Sequence, residues 1–103
     1  MAEFPELDSV VHAPLRLAIL TILSTIDQAD FNHLKELTGS SDGNTSVHLQ
    51  KLEKAGYIKS KKQFVGRKPQ TTYRMTASGR EALLTYVKEL KRLLAMNPSL
   101  SIR

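Results

Sequence analysis

One stretch of this chain decides its fold, residues 40–76, which read SSDGNTSVHLQKLEKAGYIKSKKQFVGRKPQTTYRMT. At the α-helical rotation of about 100° per residue, Thr45, Leu49 and Leu52 gather on one side, and polar residues spread over the other. Gly56 follows the last of these turns, and a glycine there ends a helix because it adopts the left-handed conformation at little cost. The pattern predicts a helix with one buried face and one exposed polar face.

A β-hairpin is predicted immediately after this helix. Residues 57–65 and 71–76 both have the composition of strands, and the turn between them, residues 66–70, carries Arg67 and Lys68. The hairpin residues expected to face a core are Tyr57, Ile58, Phe64, Val65, Tyr73 and Met75. The cations expected to face solvent are Lys59, Lys61, Lys62, Arg67, Lys68 and Arg74. Helix and hairpin together predict a unit with a cationic loop at its tip.

Two further helices are predicted before this unit. Apolar residues recur at helical spacing over 14–26, and the first of these residues is a proline, which suits a first turn because its missing N–H needs no partner there. A short second helix is expected over 32–38, with Leu34 and Leu37 facing inward. A short strand is expected at 30–32, just before it. The first two helices would hold the third at an angle that presents its polar face.

The chain is predicted to form one domain. A last helix follows Thr76, a good N-cap, and ends near residue 96 before an Asn-Pro pair. Residues 1–13 are expected to be a loose or lightly docked arm, residues 14–96 the domain, and residues 97–103 a frayed tail. A length of 103 residues suits one modest core. The predicted fold class is α+β, mainly α, with a three-helix core, a hairpin and a long C-terminal helix.

Charge is distributed unevenly along the chain. The net charge is only +5, but residues 51–74 contain eight Lys or Arg and one acid, Glu53, whereas the first fifty residues contain two cations and seven acids. A run of charge can be nothing more than a solvated face. Concentrated on one helix–hairpin unit, the excess favours a polyanionic partner.

Composition and motifs argue against several other classes of protein. There is no cysteine, and the three histidines fall on three different predicted elements, so we expect no metal site and no cofactor. Phosphate-binding loops, nucleophile elbows and paired carboxylates are missing, so we expect no catalytic residues and no enzyme. No apolar run approaches the roughly 18 residues of a membrane span. The N-terminus lacks the basic region of a secretory signal, so we expect a cytoplasmic protein.

Two motifs carry a resemblance to a known family. One is S-x-H-L-x-K-L-E-K-A-G-Y-I, which begins at Ser46, and the other is G-R-K-P-x-T-x-Y-x-[LM]-T-x-x-G, which begins at Gly66. In this order and spacing they resemble winged helix-turn-helix transcription regulators, in particular small single-domain proteins of the MarR/ArsR-like class, over residues 15–94. The resemblance implies a DNA-binding protein with a hairpin wing that acts as a homodimer.

The third helix and the hairpin tip carry the candidate DNA contacts. The amides of Asn44 and Gln50 could pair with adenine, and Val47 suits a thymine methyl group, although all three could be ordinary solvent-facing residues. Arg67 and Lys68 are expected on phosphates or in the minor groove, because two cations on a protruding turn have little purpose in folding. The full candidate set is Asn44, Thr45, Ser46, Val47, Gln50, Lys51, Lys54, Arg67 and Lys68.

The last helix has an apolar stripe that suggests a dimer interface. Leu84 widens the stripe beyond what one small core should need. Packing of the whole stripe on the first helix is the alternative. Pairing of two last helices would give the two-fold symmetry that reads a palindrome. The residues predicted for this interface are Leu83, Tyr86, Val87, Leu90, Leu93 and Leu94.

These expectations combine into one functional prediction. It is a homodimeric, sequence-specific regulator of transcription that binds double-stranded DNA, acts as a repressor, places its third helix in the major groove and places its wing on the backbone or minor groove. A winged-helix module for protein–protein interaction and a nonspecific nucleic-acid-binding protein are the alternatives. Salt-sensitive DNA binding separates the first alternative, and competition by genomic DNA separates the second. No small-molecule effector is identified, and a signal would have to enter at the dimer interface or through a partner.

Overall fold

The structure, a computed structural model, describes residues 4–100. Three strands, β1 (Ala29–Asp30), β2 (Ile58–Val65) and β3 (Lys68–Met75), form one antiparallel sheet in the order β1-β3-β2. A three-helix core, a β-hairpin and a long C-terminal helix make up the fold, and the predicted fold class is confirmed. Parts of the predicted arm and tail, residues 1–3 and 101–103, lie outside the described residues. The elements are α1 (Pro14–Thr25), β1 (Ala29–Asp30), α2 (Phe31–Thr38), α3 (Asp42–Lys54), β2 (Ile58–Val65), β3 (Lys68–Met75), α4 (Ala77–Leu94) and a short 3₁₀ helix (Pro98–Leu100).

Side-chain caps fix where three of the four α-helices begin. The Asp30 carboxylate, the Ser41 hydroxyl and the Thr76 hydroxyl each accept a hydrogen bond from the backbone N–H three residues on, at 2.8, 3.2 and 3.0 Å. A cap of this kind typically contributes about 1 kcal/mol to stability. The remaining helix, α1, has no side-chain cap and begins with Pro14. The helix starts are therefore decided locally, as the sequence suggests.

The core lies where the helices meet the sheet. Leu37 is not part of it, contrary to the prediction, because the last turn of α2 extends past the core toward Gly39 and leaves the leucine exposed. The side chains that pack most completely are Val11, Ile19, Leu20, Leu23, Leu34, Leu49, Leu52 and Ile58. Because α1, α2, α3, α4 and the sheet all contribute to one cluster, α3 is held in a single orientation.

The hairpin turn is tighter than predicted. β2 and β3 pair in continuous register from Ile58 opposite Met75 to Val65 opposite Lys68, which leaves a turn of only two residues. Gly66, the first of the two, has φ +65°, and no residue other than glycine has positive φ among those described. This combination is typical of a type II′ hairpin turn. Lys68 therefore begins β3, and the predicted five-residue turn is wrong.

The outer half of the hairpin has no core beneath it. Phe64 is 75% exposed and Val65 57%, so the prediction that both face the core is wrong. Eight residues of strand span about 26 Å, and β2 is buried at Ile58 but exposed at Val65. The strands are therefore too long for the core to cover. At the other end of the hairpin, Ile58 is buried and Tyr57, Tyr73 and Met75 pack against the core, as predicted.

β1 is a short edge strand that lies one residue earlier than expected. Ala29 pairs with Tyr73 and Asp30 with Thr72. The side chain of Asp30 caps α2 at the same time, so the strand ends where the helix begins. This connection joins the helical part of the domain to the wing.

The N-terminal segment packs more tightly than a loose arm. Val11 is completely buried, and Arg16 Nε donates a hydrogen bond to the Val10 carbonyl at 2.6 Å. Asp8 accepts hydrogen bonds from Tyr57 Oη and from two backbone N–H groups. Burial opposes ionisation of Asp8, but these hydrogen bonds outweigh it and lower its pKa. The bond to Asp8, followed by burial and the nearby charge, raises the pKa of Tyr57 to about 12.

α4 approaches the base of the hairpin through backbone contacts. The Thr76 N–H donates to the Tyr57 carbonyl at 3.0 Å, and the Thr76 hydroxyl donates to the Gly56 carbonyl at 2.6 Å. One turn into the helix Gly79 is buried, and a Cβ at this position would lie 2.0 Å from the Tyr57 carbonyl oxygen. The close approach therefore requires a residue without a side chain.

Candidate nucleic-acid interface

α3 presents its polar face because its apolar face is anchored in the core. Leu49 and Leu52 are buried, and this fixes the rotation of the helix about its axis. Five of the predicted candidates on this helix are exposed and Ser46 is half-buried, so all six are accessible. The exposed five are Asn44, Val47, Gln50, Lys51 and Lys54.

Thr45 does not belong to this face, and its prediction as a DNA contact is wrong. The residue is fully buried, and its hydroxyl donates a hydrogen bond to the Ser41 carbonyl at 2.7 Å. Its helical position next to Leu49 and Leu52 already placed it on the inner side. Thr45 packs beneath the first turn of α3 and satisfies its polar group within the helix.

The acidic groups of α3 are engaged with neighbouring side chains. Asp42 Oδ1 lies 2.7 Å from Lys35 Nζ on α2, and Glu53 Oε2 accepts a hydrogen bond from Ser60 Oγ at 2.6 Å. An exposed ion pair such as the first contributes little to stability, about 0–1 kcal/mol. Its consequence is electrostatic, because the charge of Asp42 is compensated at the start of the exposed face.

The wing continues the positive charge of α3. Six cations of the hairpin are exposed, as predicted, and they are Lys59, Lys61, Lys62, Arg67, Lys68 and Arg74. Arg74 differs from the others because its guanidinium contacts Asp27 Oδ2 at 3.7 Å and Gln28 Oε1 at 3.3 Å. Between Lys54 and Arg80 the chain contains no acidic residue. The end of α3 and the wing, residues 51–74, thus carry eight Lys or Arg and a single acid, Glu53.

Comparison with known proteins assigns the family. A family model described as a winged helix DNA-binding domain matches residues 15–94. The chain belongs to this family. An uncharacterized protein of Methanocaldococcus jannaschii is 33% identical to it over 84 residues, which cover 82% of this chain and 91% of that protein.

Solved structures similar to this winged helix domain include regulators of transcription. The transcriptional regulator homologue protein of Pyrococcus horikoshii OT3 superposes with a TM-score of 0.77 at 25% identity, over 84% of this chain and 86% of that chain. MarR gives 0.71 at 17% identity, over 84% and 63%. PadR of Bacillus subtilis, solved in complex with operator DNA, gives 0.65 at 21% identity, over 73% and 47%. The predicted MarR-like resemblance is confirmed, and the family is that of winged helix DNA-binding domains.

The winged helix domain uses part of the α4 stripe for its own core. Leu83 is only 8% exposed and Tyr86 only 4%, so their prediction as dimer contacts is wrong. The Tyr86 hydroxyl oxygen lies 2.8 Å from His12 Nδ1, which ties α4 to the N-terminal segment. Leu84, in contrast, is 63% exposed, and Val87 is exposed beside it. The remaining predicted interface residues, Leu90, Leu93 and Leu94, are half-buried.

His48 links α3 to the helical core behind it. Arg16 Nη1 lies 2.9 Å from His48 Nδ1, a contact in which the arginine donates to a neutral imidazole. Burial, followed by the charges of Arg16 and Lys51, lowers the pKa of His48. Its prediction as a packing residue at the core margin agrees with this position. The sequence contains no local signal for the contact, because the two residues are thirty-two positions apart.

The structure adds two negative findings for residues 4–100. No group of three or more His, Asp or Glu side chains in this range is arranged to hold a metal ion. None of the helices in the same range combines the length and the apolar character that a membrane span requires.

Proposed function

We propose that this winged helix protein is a homodimeric, cytoplasmic regulator of transcription. It binds double-stranded DNA sequence-specifically and acts as a repressor. The observation that carries the proposal is the exposed face of α3 beside a wing without acidic residues. A helix of this diameter fits the major groove of B-DNA, and an adjacent loop can reach the flanking backbone or the minor groove. The PadR structure is a precedent for a related fold on operator DNA.

We assign recognition of the DNA base sequence to the exposed face of α3. Asn44 and Gln50 carry amides that can pair with adenine, and Val47 can contact a thymine methyl group. Lys51 and Lys54 lie toward the end of the helix, where they can neutralise phosphates. The half-buried Ser46 can donate its hydroxyl to a phosphate oxygen.

The wing tip is assigned to the DNA backbone or minor groove. Arg67 lies in the turn and Lys68 directly follows it, and both side chains are exposed. Contacts of this kind position a protein on the duplex and make its affinity depend on salt, with little dependence on base sequence.

Dimerisation is assigned to the exposed part of the α4 stripe. Leu84 and Val87 form its exposed centre and replace Leu83 and Tyr86, which serve the core of each subunit. Leu90, Leu93 and Leu94 extend the stripe along the helix. A two-fold dimer would place two α3 helices on half-sites of a palindrome about 34–36 Å apart, one turn of the duplex. A dimer bound there would exclude other proteins from the site, which is how we expect it to repress.

The decisive experiment is selection of binding sites from random duplexes with the purified full chain. We expect a palindrome with half-sites separated by one helical turn. Binding to that duplex should exceed binding to a scrambled duplex by about 10³-fold or more at physiological salt. Equal affinity for both duplexes would indicate a nonspecific binder. No affinity for any duplex would favour a protein interaction module.

A further inference from the structure

The wing tip exposes an aromatic side chain that the core does not use. At 75% exposure, Phe64 is the most exposed large apolar side chain among residues 4–100. It lies opposite Pro69 on the neighbouring strand, and Val65 beside it is also exposed. Exposed apolar surface that is surrounded by polar residues often marks a site of contact with a partner.

Strand geometry places Phe64 on the side of the wing that faces α3. Side chains alternate along a strand, so Phe64 shares a face of β2 with Ile58, which is buried in the core, and with Ser60. Ser60 hydrogen-bonds to Glu53 near the end of α3, which identifies this face. Phe64 lies four residues farther out, about 13 Å along the strand. A duplex bound to α3 would therefore extend toward this face of the wing.

The charge around Phe64 restricts the kind of partner. Lys61, Lys62, Arg67 and Lys68 all lie within four positions of it, and no acidic residue occurs anywhere in the hairpin. The wing of a second copy would be repelled by like charge, whereas a polyanion would be attracted. A partner must therefore offer negative charge together with an apolar surface into which a ring can insert. A DNA minor groove offers both, as phosphate edges and stacked bases.

We propose that Phe64 is a wedge that inserts from the minor groove into a base step beside the α3 site, while Arg67 and Lys68 hold the flanking phosphates. This inference rests on the proposed function and adds to it a specificity determinant outside α3. Inserted apolar side chains partly unstack a step and bend the duplex toward the major groove, by roughly 20–90°. Pyrimidine–purine steps deform most easily, so we expect such a step at a fixed distance from each α3 half-site.

The test compares three variants with the wild type on the selected duplex. Phe64→Ala removes the ring, and Phe64→Leu keeps an apolar group of smaller size. Phe4→Ala removes an exposed ring outside the wing and is the matched control. Bending is measured by energy transfer between dyes on the two duplex ends, and unstacking by the fluorescence of 2-aminopurine placed at the expected step. Thermal melting and sedimentation measure whether each variant folds and self-associates as the wild type does.

We expect Phe64→Ala to abolish the bend and the 2-aminopurine signal and to weaken binding about tenfold, with preference for the α3 half-sites retained. Phe64→Leu should keep most of both signals, and Phe4→Ala should change neither. A bend that survives Phe64→Ala would overturn the wedge, as would a Phe64→Ala variant whose only defect is in self-association. Failure of the wild type to bind any duplex would instead overturn the proposed function.

Discussion

Gly79→Ala tests the seating of α4 against the hairpin. The new Cβ would lie 2.0 Å from the Tyr57 carbonyl oxygen and 2.8 Å from its carbon, where Cβ atoms keep at least 3.0 Å from other heavy atoms. Relief requires the helix to move by about 1 Å, and overpacking of this kind costs about 1–3 kcal/mol. The movement also strains the hydrogen bond from the Thr76 N–H to Tyr57, worth about 0.5–1.5 kcal/mol. The helix propensity of alanine returns about 1 kcal/mol.

The expected net loss is about 2 kcal/mol in the free energy of unfolding. For a domain of this size it corresponds to a fall of roughly 8–16 °C in Tm. Gly43→Ala is the matched control, because Gly43 also lies in a helix but is exposed, and a Cβ there meets nothing within 4 Å. The control should be unchanged or stabilised, by up to about 1 kcal/mol. Urea and thermal unfolding followed by circular dichroism measure both variants. A Gly79→Ala variant that melts with the wild type would refute the close packing of α4.

Four further predictions concern DNA binding, assembly and pH. Replacing Arg67 and Lys68 with Ala should weaken binding to selected and scrambled duplexes alike, with the log–log salt slope reduced by about 0.9 per lost phosphate contact. Gln50→Ala should cost about 1–3 kcal/mol of binding free energy on the selected duplex and far less on the scrambled one. Binding titrations across a salt series measure both variants. A uniform loss from Gln50→Ala, or a sequence-selective loss from the Arg67 and Lys68 variant, would show that the roles of α3 and the wing are reversed. Leu84→Asp should shift sedimentation toward the 11.5 kDa monomer and weaken DNA binding in parallel, and an unchanged mass would exclude this part of α4 from the interface. Because the folded state lowers the pKa of His48, the unfolded state binds its proton first as pH falls below 6.5, so stability should decrease from pH 7.5 to pH 5.5. His48→Gln does not titrate, and an equally steep decrease in this variant would assign the pH dependence to another group.

Much of the candidate site follows from local pattern. The helical wheel of α3 identifies which residues are exposed, and it places Thr45 on the buried side. The prediction of Thr45 as a DNA contact is wrong because it treats a hydroxyl as a surface group against the wheel. The cations of the wing are exposed because charged side chains are rarely buried without a partner. The pairing of Arg74 with Asp27 escaped prediction, since it joins residues far apart in the chain.

The sequence by itself determined where α3 and α4 begin and which side of each helix is apolar. Caps such as Ser41 and Thr76 act within one turn, and periodicity is a property of neighbouring residues. Only the tertiary structure decided what covers each apolar side. It assigned Leu83 and Tyr86 to the core of the subunit, left Leu84 exposed, and carried Phe64 beyond the core on a hairpin longer than the body beneath it. Burial depends on how far other elements extend over a residue, and that distance is not encoded in the residue's own surroundings in the chain.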